Sequence, residues 1–283
     1  MTTVEKRIQD KDSAKQTGIR QEAMISFRSI KVQLNLFLAA FAIFLFAKEP
    51  HLAALFSLSQ TVLFSVLLEG VILFRKDKKF HVTASSITSG LILGLVLSPD
   101  SPWWTLLVAA AAAIGLKYLV RFHGKNLLNP AALGIFLAIL PFKGNTAWQG
   151  TYLWYILIPA GLYFVGKIRK MAIVIGYFGM SLLLFIPQAL SQGTSLWNIP
   201  GYFNYFFIFI MLIEPKTTPA ARIPKIAFGT GVALLVFLLT EWAFPYEPEI
   251  SALLVMNACV PLLNKLPDLK FSKSKQNPRK ESL

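Results

Sequence analysis

Cysteine is almost absent from this 283-residue chain. Cys259 stands alone, so no internal disulfide forms, and a zinc or iron–sulfur centre built by this chain alone is excluded. Histidine is nearly as scarce: His51, His81 and His123 are too few and too scattered for a metal cage. No Ser-His-Asp, Cys-His or HExxH constellation exists either, which removes the usual hydrolase and metalloprotease chemistry. Charge is the third scarcity. Charged residues make up 15% of the chain against 55% hydrophobic ones, and mean hydropathy is +0.56, whereas a soluble domain carries roughly 25% charged residues. The chain reads as mostly bilayer-embedded.

The apolar material falls into ten segments, residues 34–47, 51–74, 82–97, 103–120, 128–142, 152–166, 171–190, 202–213, 226–244 and 250–263. A perpendicular span takes about 20 residues. The third, fifth, eighth and tenth segments fall short of that and are expected to be broken or partial helices. Interrupted backbone survives at membrane depth only inside protein or beside a water-filled cavity. The stretch 117–134 therefore draws attention first, because three cations, His123, Gly124 and Asn129-Pro130 interrupt its apolar run. Residues 1–33 form a basic polar tail, read as a cytoplasmic leader with a short amphipathic helix near 25–32 as the alternative. No cleavable signal pattern precedes the first apolar segment, so insertion is expected through the first span itself. Residues 266–283 form a second basic tail.

Charge placement tests this segmentation independently. With the N-terminus inside, 26 of the 28 lysines and arginines fall on the cytoplasmic side, and Lys48 and Lys143 are the exceptions. That is a strong positive-inside asymmetry for an even number of spans. The six tryptophans lie near the opposite ends, as an interfacial aromatic belt requires. The net charge of +14 is thus a topology signal and a contact for anionic lipids rather than a nucleic-acid footprint.

The halves resemble each other. Pro99 and Pro215 end the third and eighth segments 116 residues apart, and Pro130 and Pro248 open the fifth and tenth 118 apart. Residues 34–142 and 143–265 read as two five-span repeats. Five is odd, so the second copy must be inverted, as in transporter folds that bind ligands between inverted repeats at broken helices. The expected fold is an all-α polytopic membrane protein of about ten transmembrane helices.

Several blocks carry a family resemblance. Residues 86–95 (SITSGLILGL) with Pro102-Trp103-Trp104, residues 125–134 (KNLLNPAALG), residues 214–219 (EPKTTP) and residues 252–258 (ALLVMNA) with Pro261-Leu262 resemble the RnfD/NqrB family over about residues 80–265. Its members are membrane flavin-binding subunits of the Rnf and Na⁺-translocating NADH:quinone oxidoreductase complexes. The resemblance implies a urea-channel-like fold, an inner-membrane location, other subunits of a redox complex as partners, and quinone as a further one. Two departures stand out. The family's Asp-x-x-Ser-Gly-Ala-Thr block, whose threonine takes a phosphoester-linked FMN, is replaced by residues 143–151 (KGNTAWQGT). Thr146 and Thr151 are the threonines there, and flavin, as FMN or riboflavin, is expected to be held noncovalently. The family's Asp-Pro becomes Glu214-Pro215, one methylene longer.

A flavin needs a flat apolar slot and a few fixed polar groups for its pyrimidine edge. The resemblance and the broken segments point to Ser86, Thr88, Asn129, Pro130, Glu214, Thr217 and Asn257. Each has a plainer reading beside it: Asn129 as a helix cap before Pro130, Ser86 and Thr88 as small polar packing groups. His123 is read as an interfacial loop residue. Glu69 is the acid lying well inside an apolar run, which makes it an ion-pathway candidate; the alternative is snorkelling toward Arg75 and Lys76. The resulting expectation is a flavin-binding electron-transfer subunit without a substrate-converting constellation of its own. A channel or facilitator for a small polar solute is the alternative, since fold does not fix function. The cation asymmetry predicts both termini in the cytoplasm, checked by a reporter fused to the C-terminus; activity confined to the outside would contradict the ten-span arrangement.

Overall fold

The computed structural model describes residues 29–78, 80–122, 125–142, 145–193, 195, 200–201 and 203–267. Expectations for residues 1–28, His123, Trp197 and residues 268–283 lie outside the described residues. The described chain is helical. It runs through α1 (Ile30–Lys48), α2 (Leu52–Asp77), α3 (Ala84–Val96), α4 (Trp103–Leu119), a small hairpin of β1 (Arg121–Phe122) and β2 (Lys125–Asn126), then α5 (Pro130–Phe142), α6 (Trp154–Lys167) and α7 (Met171–Ser191). A π-helix (Phe207–Met211), α8 (Arg222–Glu241) and α9 (Pro248–Leu263) follow. Four helices, α1, α2, α7 and α8, are long and apolar enough to cross a membrane alone. With the shorter apolar helices between them, they make this a multi-pass membrane protein.

The ten apolar segments each correspond to one of these helical elements. The expected short elements are short: α3 and α5 have 13 residues each, α9 has 16 and the π-helix has 5. At 14 residues, α6 is also short, in keeping with an apolar run, 152–166, no longer than that of α5.

Local chemistry sets the element boundaries. Thr83 caps α3 by accepting from the Ser86 N–H at 3.1 Å, and Asn129 caps α5 by accepting from the Ala132 N–H at 3.1 Å. Helix α2 stops at Lys78, which adopts the left-handed conformation at φ 56°. Pro248 occupies the first turn of α9, where its missing N–H costs nothing.

Helix α3 ends in mid-protein, and its terminal carbonyls need partners. The loop 145–149 supplies them. Gln149 N donates to Leu95 O at 2.7 Å, Ala147 N to Val96 O at 2.8 Å, and Gln149 Nε2 to Gly94 O at 2.8 Å. In return, Ser98 N donates to Asn145 O at 3.0 Å. Without this strip of second-half backbone, α3 could not stop inside the protein.

Helix packing relies on small residues, which let backbones approach closely where lipid gives no hydrophobic drive for association. Helix α2 packs on α3 and α4, and α4 on α5; α7 packs on α8, and α8 on α9. At the α7–α8 contact, Gly176 faces the Ile226 carbonyl and Gly229 faces the Ile173 carbonyl, leaving no room for a Cβ at either position. Gly229→Ala should therefore lower thermal stability in detergent by about 1–3 kcal/mol, the usual cost of overpacking. Gly166→Ala, where a Cβ meets nothing, should leave it unchanged; equal melting of the two variants would refute this contact.

Candidate functional site

A cavity of about 270 Å³ opens where α1, α3, the start of α5, the end of α6 and the π-helix meet. Thr88, Asn129, Pro130 and Glu214, four of the residues singled out from sequence, lie on its wall. Apolar surface surrounds them, including Ile92, Phe164 and Phe209. Lys31, Glu214 and Lys216 supply its charged groups, and Ser85 and Ser89 add hydroxyls.

Asn129 and Asn257 stand behind and within that wall as a tie between the two halves of the chain. The Asn129 N–H donates to Asn257 Oδ1 at 2.9 Å, and Asn129 Nδ2 donates to the Met211 carbonyl at 3.1 Å. Asn257 Nδ2 donates to the Thr217 carbonyl at 3.1 Å. Both amides are almost wholly buried. Each therefore satisfies backbone left exposed by a broken helix: the start of α5, the end of the π-helix and the turn beyond it. Thr217 is buried in that turn, and its hydroxyl has no partner among the described residues. Ser86 lies off the cavity wall, fully buried, and donates to the Thr83 carbonyl at 2.9 Å.

A polar residue that the sequence reading does not single out holds the wall from behind. Asn35 on α1 donates through Nδ2 to the Ala84 carbonyl at 2.8 Å and accepts from the Thr88 hydroxyl at 2.6 Å. It anchors the first turn of α3 to α1. The signal was present, since Asn35 is a lone amide in an apolar run, but its partner lies 49 residues away.

Glu69 is fully buried and makes an ion pair with the buried Lys117 of α4. The Tyr118 hydroxyl donates to its Oε1 and the Thr83 hydroxyl to its Oε2, both at 2.6 Å. The alternative of snorkelling toward Arg75 and Lys76 does not occur; both are exposed, and the carboxylate turns inward to Lys117. A carboxylate buried at this depth needs a counter-charge and hydrogen bonds, and α4 and the α3 cap supply them. Thr83 caps α3 and bonds Glu69 at once, so this cluster fixes the entry of α3, whose next turns line the cavity.

The candidate threonines for covalent flavin lie toward the other end of the protein. Thr146 donates to the Glu247 carboxylate, which also accepts from Trp148 Nε1 at 3.1 Å. Thr151 donates to the Trp148 carbonyl at 2.9 Å and lines a wider, more open cavity of about 740 Å³ together with Glu49, Asp100, Trp148 and Tyr152. Among the described residues, no group of histidines, cysteines and carboxylates could hold a metal ion.

Set beside known sequences, the NQR2, RnfD, RnfE family matches residues 13–155, about half the chain and the part that holds α1 to α5. The chain belongs to this family. Its relatives include proteins named as the D-type subunit of the ion-translocating oxidoreductase complex. That of Ectopseudomonas mendocina is 22% identical over 280 residues, covering 74% of this chain and 81% of that protein. The Buchnera aphidicola protein is 34% identical over 197 residues, covering 64% and 54%. That of Yersinia enterocolitica is 30% identical over 149 residues, covering 45% and 40%.

The buried pair yields a stability prediction for this family member. Removing one partner strands the other charge and costs about 3–5 kcal/mol, whereas replacing both with apolar residues is close to neutral. Lys117→Met alone should sharply reduce the yield of folded protein, and Glu69→Leu with Lys117→Met should recover most of it by thermal unfolding in detergent. A double variant no better than the single one would show that the cluster does more than balance charge.

Proposed function

We propose that this protein is a membrane-embedded, flavin-binding electron-transfer subunit of an Rnf/NQR-like ion-translocating oxidoreductase complex. The observation that carries the reading is the cavity itself. Residues from both halves of the chain, belonging to the very blocks that resemble the family, converge on it. At about 270 Å³ it falls just below the roughly 300–1,000 Å³ range of small-molecule sites. That suits one fused-ring head group with its tail toward the two lysines of the lining, Lys31 and Lys216. The walls are apolar with a few hydroxyls and one carboxylate, the composition such a ring requires. A bound flavin would supply one- and two-electron transfer; the chain's part is to bind, orient and shield it. In this reading Thr88 and Glu214 are ligand contacts, Asn129 and Pro130 form the wall, and Asn257 and Thr217 hold that wall in place. Glu69 acts on α3 rather than as an ion carrier.

Two inverted five-helix repeats are part of the proposal. Contacts within the halves correspond: α1 packs on α3 as α6 on the π-helix, α2 on α4 as α7 on α8, and α4 on α5 as α8 on α9. Across the halves, α1 meets α6 and α5 meets α9, each its own counterpart. Glu69 bonds to α4 from the position in α2 that Gln188, bonded to Glu241 of α8, occupies in α7. The cation asymmetry favours the inner membrane with both termini cytoplasmic and anionic lipids along that face. Electrons would pass to and from other subunits or quinone.

Against the alternative of a solute channel stands a run of ring contacts that leads from one cavity wall to the other. Phe164, on the wall of the smaller one, meets Phe37, which meets Phe41; Phe41 meets Phe206, and Phe206 meets Trp148 on the wall of the larger one, at centroid distances of 5.6 to 6.4 Å. The purified protein should be yellow, with flavin absorbance that moves to the supernatant on acid precipitation. The intact mass of the polypeptide should match the unmodified chain. A mass increment of one FMN on Thr146 or Thr151 would refute noncovalent binding, and a colourless protein that raises liposome permeability would favour the channel.

A further inference from the structure

The first two turns of α3 present three hydroxyls to the cavity, Ser85, Thr88 and Ser89; Thr88 and Ser89 follow Ser85 by three and four residues, and Thr88 lies between the two serines along the helix axis. Their hydrogen-bonding capacities differ. The Thr88 hydroxyl has one proton, and two groups compete for it, Asn35 Oδ1 at 2.6 Å and the Ala84 carbonyl at 2.7 Å. Both are acceptors. The Asn35 amide cannot be turned the other way without loss, because its Nδ2 already donates to the Ala84 carbonyl. Whichever acceptor takes the proton, Thr88 can offer the cavity only lone pairs. Ser85 and Ser89 have no such commitment: neither hydroxyl is bonded to a described residue, and Ser89 is 7% exposed. Both therefore have a proton to offer a ligand in the cavity. The face therefore reads as an acceptor beside two donors.

We propose, resting on the flavin reading above, that this face of α3 recognises the pyrimidine edge of the isoalloxazine ring. Thr88 accepts from N3–H, and Ser85 and Ser89 donate to the carbonyls on either side of it. The edge of the ring runs acceptor, donor, acceptor, the complement of the three hydroxyls. Asn35 is a positioning residue: it touches no ligand, but by holding the Thr88 proton it makes Thr88 an acceptor. A quinone ring has carbonyl acceptors and no N–H between them, so it leaves Thr88 unpaired. Specificity for a buried N–H arises this way, because a ligand lacking the donor strands the acceptor.

The test is equilibrium dialysis of the purified full chain in detergent against riboflavin and N3-methylriboflavin, read by flavin fluorescence. Methylation removes the donor and leaves both carbonyls. The wild type should prefer riboflavin by about ten- to a hundredfold, the span of one lost buried hydrogen bond. Thr88→Val should bring the preference close to unity. Thr88→Ser, which keeps the oxygen, should retain it and guards against misfolding as the cause. Ser89→Ala should weaken both flavins together. Equal binding of the two flavins by the wild type would overturn the N3–H assignment while leaving the flavin reading standing. Binding of neither would overturn both. Loss of the preference in Glu214→Gln but not in Thr88→Val would move the acceptor to the carboxylate and also overturn the assignment.

Discussion

A helix that stops inside a membrane protein leaves carbonyls and amides that neither lipid nor water will satisfy, and each unsatisfied group costs several kcal/mol. This protein breaks helices in both halves, and its architecture follows from how those ends are met. The carboxyl end of α3 is closed by the backbone and side chain of residues 145–149. The end of the π-helix and the turn after it are closed by the side chains of Asn129 and Asn257. In each case the other half of the chain supplies a partner, so neither half could fold to this shape alone. The candidate site lies where two of these interruptions, the start of α5 and the end of the π-helix, meet the first turns of α3.

The Glu69 cluster solves a related problem on the cation-rich side. Thr83 must sit where it can cap α3, and Glu69 holds it there while Lys117 and Tyr118 hold Glu69. Asn35 grips the same turn from the opposite side. Clamping α3 from α2 and from α1 removes the freedom that a 13-residue helix would otherwise have. A binding wall needs this, since a hydroxyl displaced by an ångström no longer meets its partner within hydrogen-bond range.

The apolar segments and their short members were legible in the sequence because burial in lipid demands long apolar runs and their interruption is conspicuous. The Asn129-Pro130 signal was legible for a local reason: an amide before proline at a helix start is capping chemistry whatever else it does. What stayed hidden was pairing at a distance. Nothing in the sequence says that Lys117, 48 residues from Glu69, turns inward rather than toward lipid headgroups, and its place at the end of α4 suggested the opposite. Loop 145–149 looked like a candidate attachment site by position, while its backbone is engaged in closing α3. The π-helix was invisible too, because its widened turn depends on what packs around Phe207–Met211 rather than on any residue within it.

The two cavities differ in a way that bears on division of labour. The smaller one has mixed charge and hydroxyls on its wall; the larger one is more open, with Glu49 and Asp100 in its lining. A run of ring contacts, Phe164 to Phe37, Phe41, Phe206 and Trp148, leads from the wall of one to the wall of the other, with Phe41 and Phe206 buried to within 2%. A hydrated ion passing between such rings would lose its water without a compensating ligand, which is prohibitive. Parting them would require α1, which carries Phe37 and Phe41, to move relative to Phe164 of α6 and to Phe206, just ahead of the π-helix. Helix α1 also carries Lys31 and Asn35, so any such movement would alter the wall of the smaller cavity at the same time. One helix thus carries both the ring contacts and the clamp on the first turn of α3.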